Sequence, residues 1–463
     1  MIWFFLAAVA VIPVGTRLLI GTVIPGFHEY EAIFLYGSDI VMLLLLCLAW
    51  RRHHLRAREL FRGSGGLFLV VMLIAAGAAA VTAPSAWLAV YGIGRLALLM
   101  LFAFAIGALA GKKQLLQAVL AVISIMTLLQ AGIAISQFKL QGSVGLSKFG
   151  EPQLLTYAGS TSTISAEGGR VLRVYGTFPH PNVLAAFLVL GILSLAYWYL
   201  WCEQEIRLSF RATTRNPVSR WTSREYLRVL NSYLKHRYFY LRLATAAAMF
   251  VVLLALALTF SRTGWFAGVV GMLCLALLTL RSKMHDGRAA HGAVLRLLLM
   301  VAVCAAAVYL LFAPLIGPRV EVRTTEPAVS ERLTYTDIGL QLVGDSFGGV
   351  GAGNQVLYSV NHNLYQERGL TNVWDWEPVH NLYLLVASEL GLLGLLSFLA
   401  FLGMVTWQLV RQQATLESAV VLALLAAMLV AGLFDHYLWD LQPGRLMLWL
   451  VIGLALSQRK PPG

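Results

Sequence analysis

Residues 241–281 read LRLATAAAMFVVLLALALTFSRTGWFAGVVGMLCLALLTLR. Between Arg242 and Arg281 this stretch carries a single charge, Arg262, with an apolar run on each side. Each run is roughly 20 residues, enough at about 1.5 Å rise per residue to cross about 30 Å of hydrocarbon. The pair reads as two membrane spans joined by almost no loop, which pins Arg262 at the interface. The composition of the whole chain agrees. Hydrophobic residues make up 59% of the 463 and charged residues 12%, against roughly 25% charged in an ordinary soluble domain. So little polar surface cannot cover so much apolar side chain, which excludes a soluble enzyme, a nucleic-acid-binding protein and a disordered chain.

Windows of span length start near residues 2, 32, 66, 87, 114, 178, 241, 263, 293, 380, 415 and 438. The expected fold is therefore an all-α polytopic membrane protein with about twelve transmembrane helices. The first window has no basic n-region and no evident cleavage site, so it counts as a span rather than a signal peptide. The net charge of +13 is largely a topology signal. Twenty-three of the 35 Lys and Arg fall on one side of a twelve-span arrangement, among them Arg51, Arg52, Lys112, Lys113, Arg281 and Lys283. That side is cytoplasmic by the positive-inside rule, and both termini lie on it. Residues 1–315 then hold spans one to nine, with a basic cytoplasmic insertion at 203–240. Residues 316–379 form a large extracytoplasmic loop subdomain between spans nine and ten, and 380–463 hold spans ten to twelve. That loop is too long to be a simple connector. Ser330 followed by Glu331 suggests a helix N-cap there, with Gly344 closing the helix.

Polar groups gather at the outer boundary in four places: RVYGTFPHPNVLAAF (173–187), TFSRTGW (259–265), the region of Arg332, and EPVHNLYLLVASELGLLG (377–394). Each has a plain reading. Interfacial arginines snorkel to headgroup phosphates. The glycine-rich 348–354 run is either an anion cradle or a tight turn. Trp374 and Trp376 offer rings for stacking on sugars or for an aromatic interface belt. Asp39 and Arg95 are expected to pair inside the bundle. His380 is harder to dismiss. At the first turn of a span, the helix dipole and neighbouring arginines disfavour its protonation, which suits a general base acting on a hydroxyl. Tyr383 and Leu384 would share its helical face, whereas Glu389, rotated about 180° away, would not. Arginine is the expected ligand for a diphosphate, because its planar fork makes paired charge-assisted contacts. No acidic cluster with metal-ligand spacing accompanies these residues, and Cys47, Cys202, Cys274 and Cys304 form no CxxC, so metal-independent, cofactor-free chemistry is expected.

On GTFPHPNVLAAF (176–187), SRTGWFAG (261–268), ERLTYTDIGLQLVGDSFGGVGAGN (331–354) and HNLYLLVASELGLLG (380–394), the chain resembles the O-antigen ligase and O-antigen polymerase superfamily of bacterial inner membranes. The resemblance implies transfer of a glycan from an undecaprenyl diphosphate donor to a hydroxyl of lipid A–core oligosaccharide at the periplasmic face. It places the essential histidine on His380 and the donor diphosphate on Arg262 and Arg332, with Arg173 as a further ligand. Asn182, Asn381, Tyr383 and Trp376 are candidate supporting residues. The partners implied are the lipid-linked donor, the lipid A–core acceptor and membrane lipids, with no nucleic acid. The basic 203–240 segment is longer than the family pattern. An O-antigen polymerase, extending another lipid-linked glycan, is the nearest alternative. A secondary transporter would instead place ionisable groups and broken helices near the bilayer midplane.

Overall fold

The computed structural model describes residues 2–24, 29–51, 64–109, 113–157, 161–166, 169–215, 221–281, 287–320, 326–411 and 415–458. The chain begins with α1 (Ile2–Ala10) and an antiparallel hairpin of β1 (Arg17–Thr22) and β2 (Ala32–Tyr36). Helices α2 (Gly37–Arg51), α3 (Ser64–Ala79), α4 (Ala86–Leu109) and α5 (Lys113–Leu140) follow. A second hairpin, β3 (Thr163–Ala166) and β4 (Gly169–Leu172), precedes α6 (Pro181–Arg215), α7 (Trp221–Leu258), α8 (Arg262–Arg281) and α9 (Gly287–Leu311). Next come α10 (Ala313–Val320), α11 (Pro327–Asp345) and α12 (Gln355–Asn361). The chain ends with α13 (Leu382–Arg411), α14 (Leu416–Ala431), α15 (Tyr437–Asp440) and α16 (Gln442–Ser457).

Among the described residues, seven helices are long and apolar enough to cross a membrane: α4, α5, α8, α13 and the apolar parts of α6, α7 and α9. The windows near 66, 415 and 438 become 16-residue helices, about 24 Å long, shorter than the hydrocarbon core. Those near 2 and 32 depart further from expectation. The first is a nine-residue helix, and the second starts as the strand AIFLY before turning helical at Gly37. The fold is thus mostly helical rather than all-α. Short apolar runs rich in aromatic and β-branched residues serve strands as well as helices, and two hairpins use them.

The bundle is built around α6. Its segment Pro181–Leu208 is buried over 94% of its apolar window, against 17% for Ala290–Leu311 of α9, so the first is central and the second peripheral. Helices α5, α7, α8 and α14 all pack on α6. The described parts of 203–240 continue α6 to Arg215 and begin α7 at Trp221. Glu203 holds these helices to α9, accepting from Arg242 at 2.5 Å and Arg296 at 2.7 Å. The expected Asp39–Arg95 pair is present and buried, with Gln442 hydrogen-bonded to both side chains. Of the basic residues that set the expected orientation, Arg52, Arg56, Arg58, Arg62, Lys112, Arg220, Lys283, Arg459 and Lys460 lie outside the described residues.

Residues 326–381 pack over one end of the bundle around their own small core, which includes Tyr335, Ile338, Leu342, Val356 and Tyr365. Helix α11 starts at Pro327 with Glu326 as N-cap residue, so Ser330 lies inside the helix, as does Gly344, and Ser346 is the C-cap. Proline's fixed φ suits the first helical position and moves the start ahead of Ser330.

Candidate active site

Asp435, on the segment between α14 and α15, is where the polar residues of four distant segments meet. The Asn182 amide at the start of α6 donates to its Oδ2 at 2.7 Å, and Arg332 of α11 reaches the same atom at 3.6 Å. Asn182 in turn accepts from Arg173 at 2.8 Å. Arg173 also donates to the Thr259 carbonyl and to Ser162, so its buried guanidinium ties β4, α6 and the α7–α8 turn together. Burial first, and then the charges of Arg319 and Arg332, push Arg173 down to about 9.

Arg262 opens α8. Gly264, one turn into that helix, sits where an added Cβ would come within 2.6 Å of Ala185, so its missing side chain lets α8 approach α6 and brings Arg262 towards this cluster. The Arg262 fork grips both oxygens of Glu326 at 2.9 and 3.1 Å, and Arg319 of α10 bonds the same carboxylate. Arg319 was not legible in the sequence as a site residue, nor was Glu326.

His380 lies just before α13. The Asn381 side chain caps that helix, accepting from the backbone N–H groups of Tyr383 and Leu384 at 3.0 Å each. His380 is thus outside the first turn, and the shared helical face expected with Tyr383 and Leu384 does not arise. Tyr383 donates instead to Leu429 O. The imidazole is stacked on Tyr335 of α11, with ring centroids 5.2 Å apart. Its Nδ1 lies 3.0 Å from Pro378 O and its Nε2 3.2 Å from Glu377 Oε2. His436 stands edge-on to it at 4.6 Å, with Nδ1 2.7 Å from Asp440 Oδ2 and Nε2 3.8 Å from Asp435 Oδ1. Burial works against charge on His436, but Asp440, Asp435 and Glu377 outweigh it and raise the imidazole to about 9. Burial likewise opposes ionisation of Glu377, yet the His380 hydrogen bond and nearby imidazoles hold it down at about 2. His180, by contrast, is pushed down to about 3 by burial and by Arg173.

Trp376 belongs to the core of the overlying segment, stacked on Tyr365 and donating to Leu370 O, while Trp374 is exposed. Glu389 faces into the bundle as expected and accepts from the Trp439 indole at 2.8 Å. The Val350 and Gly351 amides donate to Ser388 and Glu389 carbonyls at 2.9 Å, filling a break in α13 at Gly391, whose φ is +70°. A Cβ on Gly391 would come within 2.5 Å of the Gly348 backbone, and one on Gly349 within 2.4 Å of Gly391 N.

A cavity of about 780 Å³ opens beside His380. Its lining includes Arg17, Tyr30, Lys148, His180, His380 and His436, but not Arg173, Arg262 or Arg332. His380 therefore stands between a roomy polar vestibule and a cluster of guanidinium groups.

Residues 247–399 match the family model described as O-antigen ligase. Over that stretch the chain is similar to the O-antigen ligase family. The matched residues contain Arg262, Arg332, His380 and the glycine-rich run, while Arg173, Asn182, Asp435 and His436 of the same site lie outside them. No curated protein matches the chain. Among the described residues, seven helices are long and apolar enough to cross a membrane, of which α8 and the apolar part of α9 lie wholly within the matched stretch, and α13 and the apolar part of α7 partly within it.

Proposed function

We propose that the chain is a lipopolysaccharide O-antigen ligase of the inner membrane. It would move a glycan from undecaprenyl diphosphate to a hydroxyl of lipid A–core at the periplasmic face. The observation that carries this reading is the convergence of Arg332 and His380, both inside the O-antigen ligase match, on Asp435 and His436 beside an open cavity. The reading also takes up the twelve-span topology with cytoplasmic termini and treats 316–379 as a periplasmic subdomain.

The hydrogen-bond pattern suits a base. With Nδ1–H donated to Pro378 O, the neutral ring of His380 carries its lone pair on Nε2. An acceptor hydroxyl in the cavity gives its proton to that nitrogen as its oxygen bonds the anomeric carbon. The anomeric carbon–phosphate oxygen bond breaks, and its electron pair departs with the diphosphate, inverting the centre. Glu377, already an ion at the imidazole edge, stabilises the imidazolium that forms. Arg262 and Arg332 neutralise the leaving diphosphate, and Arg173 adds its charge from a buried position while fixing Asn182. The polyisoprenoid stays in hydrocarbon and reaches the arginines from the side. Arg262 grips Glu326 with both terminal nitrogens, the geometry a phosphate would need.

Purified protein given lipid-linked glycan with and without lipid A–core tests the reading. Product is expected only when lipid A–core is added, and none from His380→Ala. Lengthening of the donor alone would instead indicate a polymerase. Full transfer by the His380→Ala variant would remove the base.

A further inference from the structure

Glu377, His380 and His436 each offer a ligand atom, and the three atoms lie within 4.8 Å of one another. The two rings are held alike. His380 Nδ1 faces the Pro378 carbonyl and His436 Nδ1 faces the Asp440 carboxylate, so each Nδ1 carries a hydrogen and each Nε2 is the position left for a proton or a metal ion. The two Nε2 atoms look onto oxygens that can only accept: Glu377 Oε2 at 3.2 Å from one ring and Asp435 Oδ1 at 3.8 Å from the other. Acceptors facing acceptors need positive charge between them. A proton on each ring supplies it, and so does one dication.

We propose that this constellation is a binding site for a borderline transition-metal dication of the zinc class, and that its occupation shuts transfer off. Two imidazole nitrogens and a carboxylate are a usual protein ligand set for zinc, with an open fourth position that Asp435 or water fills. The Nδ1 contacts to a carbonyl and a carboxylate are the outer-shell hydrogen bonds that fix ligating histidines. Imidazole donors favour this class over magnesium, which takes oxygen ligands and keeps its waters. The inhibitory role rests on reading His380 as the base, since a metal on Nε2 occupies the lone pair that would take the acceptor proton. The ion is an occupant that competes with catalysis rather than a cofactor.

Full-length protein in detergent is titrated with cobalt(II), watching the visible d–d bands, and with zinc by equilibrium dialysis. One ion per chain is expected, undisturbed by millimolar magnesium. Glu377→Gln and His436→Gln remove ligands, and Asp440→Ala removes an outer-shell bond and is expected to weaken binding by about 10- to 100-fold. His362→Gln, which alters an exposed histidine stacked on Tyr358, leaves binding unchanged. In the transfer assay, zinc inhibits with the midpoint of its binding curve, and a chelator restores the rate. Absent binding, or binding that ignores the three site variants, overturns the site. Stimulation by zinc overturns the inhibitory role. Site-specific binding to a protein that transfers nothing even without metal upholds the site and defeats the proposed ligase activity.

Discussion

The imidazole of His380 lies flat against the phenol of Tyr335, the two planes 11° apart. Tyr335 is anchored by its hydroxyl on Asp375 O at 2.7 Å, so the segment overlying the bundle sets the plane in which His380 works. Tyr335→Phe keeps the ring and loses one hydrogen bond, about 1 kcal/mol of stability. Tyr335→Leu removes the stacking face, and a loss of order tenfold or more in kcat is expected, with the donor KM little changed. Steady-state kinetics on the two variants separate positioning from binding.

Arg262 and Arg319 share the carboxylate of Glu326, and on the proposed function the donor diphosphate takes its place. Glu326→Gln should lower the donor KM, because the substrate no longer displaces an ion. Arg262→Lys keeps the charge and loses the fork, so kcat/KM should fall by roughly tenfold or more. An unchanged kcat/KM in the lysine variant would show that fork geometry is irrelevant there.

Gly391 and Gly349 touch through their backbones at the break in α13. Gly391→Ala adds a Cβ at positive φ against the Gly348 backbone, where nothing flexible can yield. Thermal unfolding in detergent should show a loss of several degrees, and hydrogen exchange should find the normally protected Val350 and Gly351 amides opened.

His180 accepts the Asn182 N–H on its own Nδ1 at 3.2 Å and is buried against Arg173, and its folded-state value of about 3 lies below the ordinary 6.5. The unfolded chain takes up a proton first as pH drops. This contribution to stability is complete above about 6.5 and drains away as pH falls towards 3. Thermal unfolding from pH 7 to pH 4 should therefore show a steeper decline for the wild type than for His180→Gln.

Arg262, Arg332 and His380 were legible because an ionisable side chain at the edge of an apolar run is conspicuous. Asp435 and His436 were not, since DHYLWD (435–440) runs straight into the apolar window that begins near 438 and looks like the end of a span. The i, i+4 spacing of His436 and Asp440 was the available signal. The hairpins were hidden for a related reason. RLLIGT and AIFLY are apolar enough to extend a span, and only pairing shows that they are strands. The glycine-rich run announced an unusual backbone, but its partner, the carbonyls freed 40 residues later at Gly391, cannot be inferred from local sequence.

The splice between residues 347–351 and the broken helix has a bearing on traffic through the protein. Lifting the overlying segment would strip amide partners from Ser388 and Glu389 carbonyls in an apolar setting, so that roof is soldered down rather than hinged. On the proposed function, reactants and products then come and go sideways, through gaps between neighbouring helices or through the mouth of the vestibule, and turnover should respond more to the surrounding lipid than to any opening of the roof.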